Sequence, residues 1–265
     1  MDKIWSLHEG EGPIIATAIH NGHDVRTEVS DQLNLNETER LHEEDPFTGD
    51  WTSVAETRIV LHRSRFEVDI NRPRDKAAYT GPDDAWGLQV WKSGPSQEII
   101  ERSLAAYDDF YAEILNLFKR FERRFGHFVV FDLHSYNHRR KGQNGPFAEA
   151  SLNPDVNVGT GTMDRTRWAP IIERFIADLS SFDFPGRRLD VRENKKFRGG
   201  YFPRWIHEKF LRSGCALAIE FKKFFMDEWT GKPDAVQLEA IQRALESTIP
   251  GVLEELMKMS KTTFK

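Results

Sequence analysis

The chain has 265 residues, 39% of them hydrophobic and 30% charged, with a formal charge of −5. Those totals fit a folded globular protein, not a disordered one, and weigh against a polyanion-binding role such as nucleic-acid recognition. No apolar run nears the ~20 residues that cross a bilayer, and Met1–Trp5 shows no apolar leader core. With one cysteine, Cys215, there is no internal disulfide, and a cytoplasmic location is expected. In chain order, Ile14–Ile19 reads as a buried strand that ends at His20. Residues 21–96 are rich in Pro, Gly and Asp and read as irregular, a length that implies a functional loop. Residues 97–125 carry a wide apolar stripe at helical spacing, stopped by Gly126. The run from Phe128 to Leu133, rich in β-branched and aromatic residues, reads as a second core strand that delivers His134 at its end. Helices are predicted over 166–180 and 202–213, a third core strand over 215–221, and a closing helix over 234–258. The alternation predicts one α/β domain over 1–265, a three-layer α/β/α sandwich around a mixed sheet.

Open α/β sheets bind ligands at the carboxyl ends of their strands, so His20 and His134 stand out among nine histidines. A catalytic zinc ion takes three protein ligands and keeps one position open. The acidic partner is expected from Glu44-Asp45, with Asp45 first and Glu44 second. Asp132 sits two residues before His134 on one strand face and is placed to orient its ring. The competing reading makes both histidines hydrogen-bonded core residues.

Glu220 lies inside the apolar run Leu217–Phe221. Beside a metal it would serve as a general base; otherwise it belongs to a structural ion pair with an arginine. Arg65, Asn71 and Arg72 form a donor-rich segment suited to a carboxylate or an oxyanion. Phe197-Arg198-Gly199-Gly200-Tyr201 with Arg204 is a second donor set. Arg123-Arg124 and Arg139-Arg140-Lys141 read as solvated charge runs, and Cys215 reads as a buried inert thiol.

These pieces together resemble the N-formylglutamate amidohydrolase family, itself similar to zinc carboxypeptidases and aspartoacylases. The resemblance spans about Pro13 to Gly231. It rests on Ile19-His20-Asn21-Gly22, Glu44-Asp45, Ser64-Arg65, Asp69-Ile70-Asn71-Arg72, Trp86-Gly87-Leu88, Asp132-Leu133-His134-Ser135, Asp155–Thr160, Phe197–Tyr201 and Ile219-Glu220-Phe221. It implies a carboxypeptidase-like fold and Zn2+ held by His20, Asp45 (or Glu44) and His134. It also implies Glu220 as base, with Arg65, Asn71 and Arg72 on substrate or oxyanion and Arg204 reaching a side-chain carboxylate. The implied activity is hydrolysis of a small acyl amino acid, N-formyl-L-glutamate first. A zinc carboxypeptidase acting on a peptide or cell-wall fragment, and a non-enzymatic binding protein on the same fold, are the alternatives. His23 stands where the carboxypeptidase spacing has Glu, which puts His23 or Asp24 near the site. Tyr136 replaces the family's usual Met and is expected to shape the pocket. The basic runs near 119–124 and 138–141 are not taken as a nucleic-acid surface, and no membrane partner is expected.

Overall fold

Nine consecutive buried residues, Phe128–Tyr136, form the central strand of a seven-stranded mixed sheet. The structure is a computed structural model that describes residues 3–262. The strands are β1 (Trp5–His8), β2 (Ile14–Ala18), β3 (Thr57–Leu61), β4 (Phe128–Tyr136), β5 (Val156–Gly159), β6 (Val191–Glu193) and β7 (Gly214–Lys222). Their order is β1-β3-β2-β4-β7-β5-β6. The inner four run parallel, β1 lies antiparallel to β3, and β5 antiparallel to β7. The helices are α1 (Thr27–Ser30), α2 (Glu37–Glu43), α3 (Thr48–Trp51), α4 (Gln97–Phe125), α5 (Ala169–Ser181), α6 (Tyr201–Lys209) and α7 (Ala235–Thr262).

Strand parity divides the interior into two cores. Val129, Phe131 and Leu133 of β4, with Cys215, Leu217, Ile219 and Phe221 of β7, pack with Ile172 and Phe175 of α5 and Ile241 and Leu245 of α7. Phe128, Val130 and Ala216 face the other way, against Phe110, Ile114 and Phe118 of α4 and Phe202 and Ile206 of α6. This is the expected α/β/α sandwich. Cys215 is fully buried, and burial pushes its thiol pKa well up, so it is inert. Among the described residues no helix is long and apolar enough to cross a membrane.

The α4 boundaries are those the apolar stripe predicts. Ser96 caps its N-terminus by accepting from Ile99 N, and Gly126 ends it at φ 73°. Three expectations change. His134 lies inside β4 and not beyond it, because β7 pairs with β4 through Tyr136↔Lys222. The helix at 202–213 closes at Lys209; Gly214 donates to Phe210 O and opens β7. Residues 21–96 are not irregular throughout: they contribute β3, three short α-helices and three 3-10 turns, with their own apolar cluster around Phe66, Tyr79, Val90 and Trp91.

Candidate metal centre and its cavity

The same parity that splits the core sets the chemistry. Asp132, His134 and Glu220 occupy the alternate positions on the α4/α6 face of β4 and β7. His134 and Glu220 are direct register partners on parallel strands, and Thr17 on β2 pairs with Asp132. His20 follows two residues after β2. Its carbonyl accepts from Asp45 N at 3.0 Å, which ties the acidic loop to the end of β2. Gly22 makes the loop possible, since a Cβ there would come within 2.4 Å of Arg63 O.

The three side chains His20, Asp45 and His134 are buried, each offers one ligand atom, and those atoms all lie within 4.8 Å of one another. Asp45 Oδ2 is 2.9 Å from His134 Nδ1 and 3.5 Å from His20 Nδ1. The opposite ring nitrogens are held by carboxylates: His134 Nε2 sits 3.0 Å from Asp132 Oδ2, and His20 Nε2 2.8 Å from Asp69 Oδ1. Asp132 is itself fixed by Thr17 Oγ1 at 2.8 Å. Asp69 also accepts from Arg65 Nη2 at 2.8 Å and from Tyr79 OH at 2.5 Å. Asp132 thus orients His134 as its spacing predicts. The matching role of Asp69 toward His20 went unread because its motif pointed to Asn71 and Arg72; the signal was a carboxylate set between Val68 and Ile70.

Of the two acidic candidates, Asp45 is the one that lies beside the histidine pair. Glu44 takes hydrogen bonds from Ser64 Oγ and His23 Nδ1 and does not line the cavity. His23 is spent on Glu44, Asp24 is exposed, and neither lines the cavity.

Burial pushes the Asp45 carboxyl up, but hydrogen bonds from His134 and His20 outweigh it and hold the group well below the usual range. Burial opposes charge on His134 too, yet Asp132, Glu220 and Asp45 raise its pKa well above the ordinary value. Glu220 goes the other way. Enclosure by protein, offset in part by His134 and reinforced by Asp45 and Asp132, lifts it to about 7. Among the described residues its carboxylate has no ion-pair partner, so the structural ion pair with an arginine is absent. Part of its surface opens into a cavity of about 250 Å³ that His20, Asp45 and His134 also line.

Arg65 and Asn71 line that cavity as expected. Asn71 Oδ1 accepts from Phe202 N at 2.9 Å, which leaves its Nδ2 donors for the cavity. Gly200 is required here, since a Cβ would lie 2.2 Å from Asn71 Oδ1. Arg72 does not line the cavity. Its guanidinium lies over the Tyr79 ring at 4.6 Å and reaches Asp69 at 3.6 Å. Arg204 is exposed on α6 and also outside the lining, since the buried positions of that turn go to Phe202, Pro203 and Trp205. Tyr136 forms part of the wall, as expected.

Three further cations line the cavity, two of which, Arg140 and Lys223, the sequence reading did not place there. Arg140, taken as part of a solvated run, makes a two-pronged pair with Glu43 at 3.0 Å and 3.0 Å. Glu43 is held at about 2: burial works against its charge, but His42 and Arg140 outweigh it. Lys223, at the end of β7, is buried and donates to His42 O at 2.7 Å and Glu44 O at 2.8 Å. It caps the last carbonyls of α2 just before Asp45. Arg198, from the second donor set, is the third.

The family model for N-formylglutamate amidohydrolase matches residues 12–226. The chain belongs to the N-formylglutamate amidohydrolase family. The match covers the segment from which the motifs were read, and it contains every residue named above as lining the cavity. Among curated relatives, an N-formylglutamate deformylase of Pseudomonas putida is 27% identical over 270 residues, spanning 92% of this chain and 96% of that protein. An N-formylglutamate deformylase of Pseudomonas aeruginosa is 28% identical over 219 residues, spanning 77% and 78%. The fold is similar to the crystal structure of the N-formylglutamate amidohydrolase from Ralstonia eutropha JMP134, with a TM-score of 0.75 at 16% identity over 97% of this chain and 99% of that one. A gene product from Agrobacterium tumefaciens gives 0.68 at 15% identity, over 96% of each chain.

Proposed function

We propose that the protein is a zinc-dependent amidohydrolase that cleaves the N-acyl amide of a small acyl amino acid, with N-formyl-L-glutamate as the preferred substrate. The observation that carries this reading is the placement of Glu220, its carboxyl raised to about 7 by enclosure and without an ion-pair partner among the described residues, beside the His20–Asp45–His134 cluster in one small cavity. Membership of an amidohydrolase family and two relatives named N-formylglutamate deformylase support it. The cavity volume lies below the roughly 300–1,000 Å³ of sites for drug-sized ligands, which favours an acyl amino acid over a peptide.

The donor set suits a divalent cation. If Nε2 of each imidazole donates to its carboxylate, then Nδ1 presents a lone pair, and at His134 that lone pair faces Asp45 Oδ2 at 2.9 Å. Two acceptors at that distance need a cation between them, either a proton or a metal. Three buried carboxylates, Asp45, Asp69 and Asp132, hold the two imidazoles, with Arg65 answering Asp69 alone, and favour the larger charge. Two imidazoles and one carboxylate form a tetrahedral zinc set with a position left open.

His20, Asp45 and His134 would hold the ion, which when bound polarises the acyl carbonyl and acidifies water. Glu220, with its pKa near neutrality, takes the proton from the attacking water and returns it to the leaving amine nitrogen. Arg65, kept charged and steered by Asp69 and Tyr79, faces the cavity to stabilise the oxyanion. The Nδ2 donors of Asn71 hold the α-carboxylate. Arg72 stiffens this wall through Tyr79 and Asp69.

The test is release of formate from N-formyl-L-glutamate by zinc-loaded protein, run beside dipeptides of similar size. Turnover of the formyl amino acid alone is expected. Glu220→Gln is expected to keep the metal and lose turnover by several orders of magnitude. Preferential cleavage of dipeptides, or an active Glu220→Gln variant, would overturn the assignment.

A further inference from the structure

Four cations line the cavity, and three have their charge answered within the protein. Arg65 is bound to Asp69, Arg140 to Glu43, and Lys223 to two backbone carbonyls. Arg198 differs. Among the described residues its guanidinium has no carboxylate and no hydrogen-bond acceptor, although it stands on the cavity wall. A free guanidinium on an exposed loop would ordinarily be a solvated charge. Here the backbone that carries it is fixed. Asn157 of β5, fully buried, donates to Phe197 O at 2.8 Å and accepts from Lys196 N at 2.7 Å and Phe197 N at 3.3 Å. Gly161 N donates to Arg198 O at 2.7 Å. The Arg198 side chain lies across Gly161, where a Cβ would come within 3.0 Å of its Nε. Asn157 is also the register partner of Glu220 on the adjoining strand. The unanswered charge is therefore set by the sheet at a defined place relative to the residue proposed as the base.

We propose that Arg198 reads the side-chain carboxylate of the acyl amino acid and so makes the enzyme selective for an acidic side chain. The proposal rests on the acyl amino acid reading above. A substrate with two carboxylates brings one more negative charge than Asn71 accounts for, and Arg198 is the lining cation with no partner to give up. Recognition through a forked donor also discriminates geometry as well as charge, which an ammonium cannot do equally well. Arg204, on the outer face of α6, has no such access.

The experiment uses the zinc-loaded full chain with N-formyl-L-glutamate and N-formyl-L-glutamine as paired substrates, and calorimetric binding of L-glutamate and L-glutamine as an activity-independent readout. The wild-type protein is expected to prefer the acidic member of each pair. In Arg198→Gln, kcat/KM for N-formyl-L-glutamate is expected to fall by about tenfold to a hundredfold, mainly through KM. The amide analogue should change by less than about threefold, and glutamate binding should weaken while glutamine binding holds. Arg198→Lys should recover part of the preference. An equal loss on both substrates, or no change in the ratio, would overturn the assignment of Arg198 and leave the amidohydrolase reading standing. Wild-type protein that turns over neither substrate would defeat that broader reading and this one with it.

Discussion

Glu220 gives a stability test that is independent of any substrate. Enclosure raises its pKa from the usual 4.5 to about 7 in the folded protein, while the unfolded chain returns it to the ordinary value. Below pH 4.5 both states hold the proton and the group contributes nothing. Between pH 4.5 and 7 the folded state keeps a proton that the unfolded state has lost, so stability declines as pH rises. Above pH 7 the deficit is constant. At 1.36 kcal/mol per tenfold change it amounts to about 3 kcal/mol. Glu220→Gln removes the ionisation and keeps the shape. In the metal-free protein the variant should equal the wild type at pH 4.5 and exceed it by about 3 kcal/mol at pH 8.5. For a chain of 265 residues that is a rise in Tm of about 6 °C. The assay is a pair of thermal melts in chelator at the two pH values. With zinc restored, the cation favours the carboxylate and the advantage should shrink. A gain that is the same at both pH values would refute the reasoning, because it would come from packing and not from ionisation.

Other expectations follow from the same geometry. Metal uptake should displace the proton on His134, so affinity should rise with pH and about one proton should leave per ion near pH 8, with Glu220 adding to the count toward pH 6; calorimetry in buffers of different ionisation enthalpy measures the count, and a count of zero at pH 8 would contradict the proposed coordination. Asp132→Asn should weaken metal affinity on the order of tenfold to a hundredfold, with turnover recovered by excess zinc. Asp69→Asn should do the same and also lower kcat at saturating metal, since Asp69 steers Arg65 as well as His20. Lys223→Met should cost on the order of 2 kcal/mol in a denaturant melt, because it strands the buried carbonyl of Glu44 and leaves that of His42 to Asn137 alone. It should also weaken the metal by loosening the loop that carries Asp45.

The parts of the molecule legible in the sequence are those in which one strong periodicity decides the structure. The apolar stripe of α4, closed by Gly126, and the apolar runs of β2, β4 and β7 gave both the layers and the positions of His20, His134 and Glu220. β1, β3, β5 and β6 are three to five residues long, and their identity as strands comes from pairing with neighbours, which no local pattern records. The places of Arg140 and Lys223 were hidden for a related reason. A cation's function depends on what it meets across the fold, and Lys223 meets carbonyls about 180 residues away. Arg72 and Arg204 show the converse: motif position suggested the substrate site, whereas stacking on Tyr79 and an exposed helix position put them outside the cavity lining.

The register of the sheet ties the stability of the fold to its chemistry. Leu133 and Ile219 must face α5 and α7 for their core to close, and that requirement alone turns His134 and Glu220 to the opposite side. A slip of one residue in β4 would put Leu133 in the cavity and drive His134 toward Phe175, with the apolar and the charged side chains both misplaced. The alternation of Val129, Phe131 and Leu133 with Val130, Asp132 and His134 therefore makes the helices that bury the first set the agents that hold the second. A chain able to pack these two cores cannot do so without bringing the ring of His134 alongside Glu220.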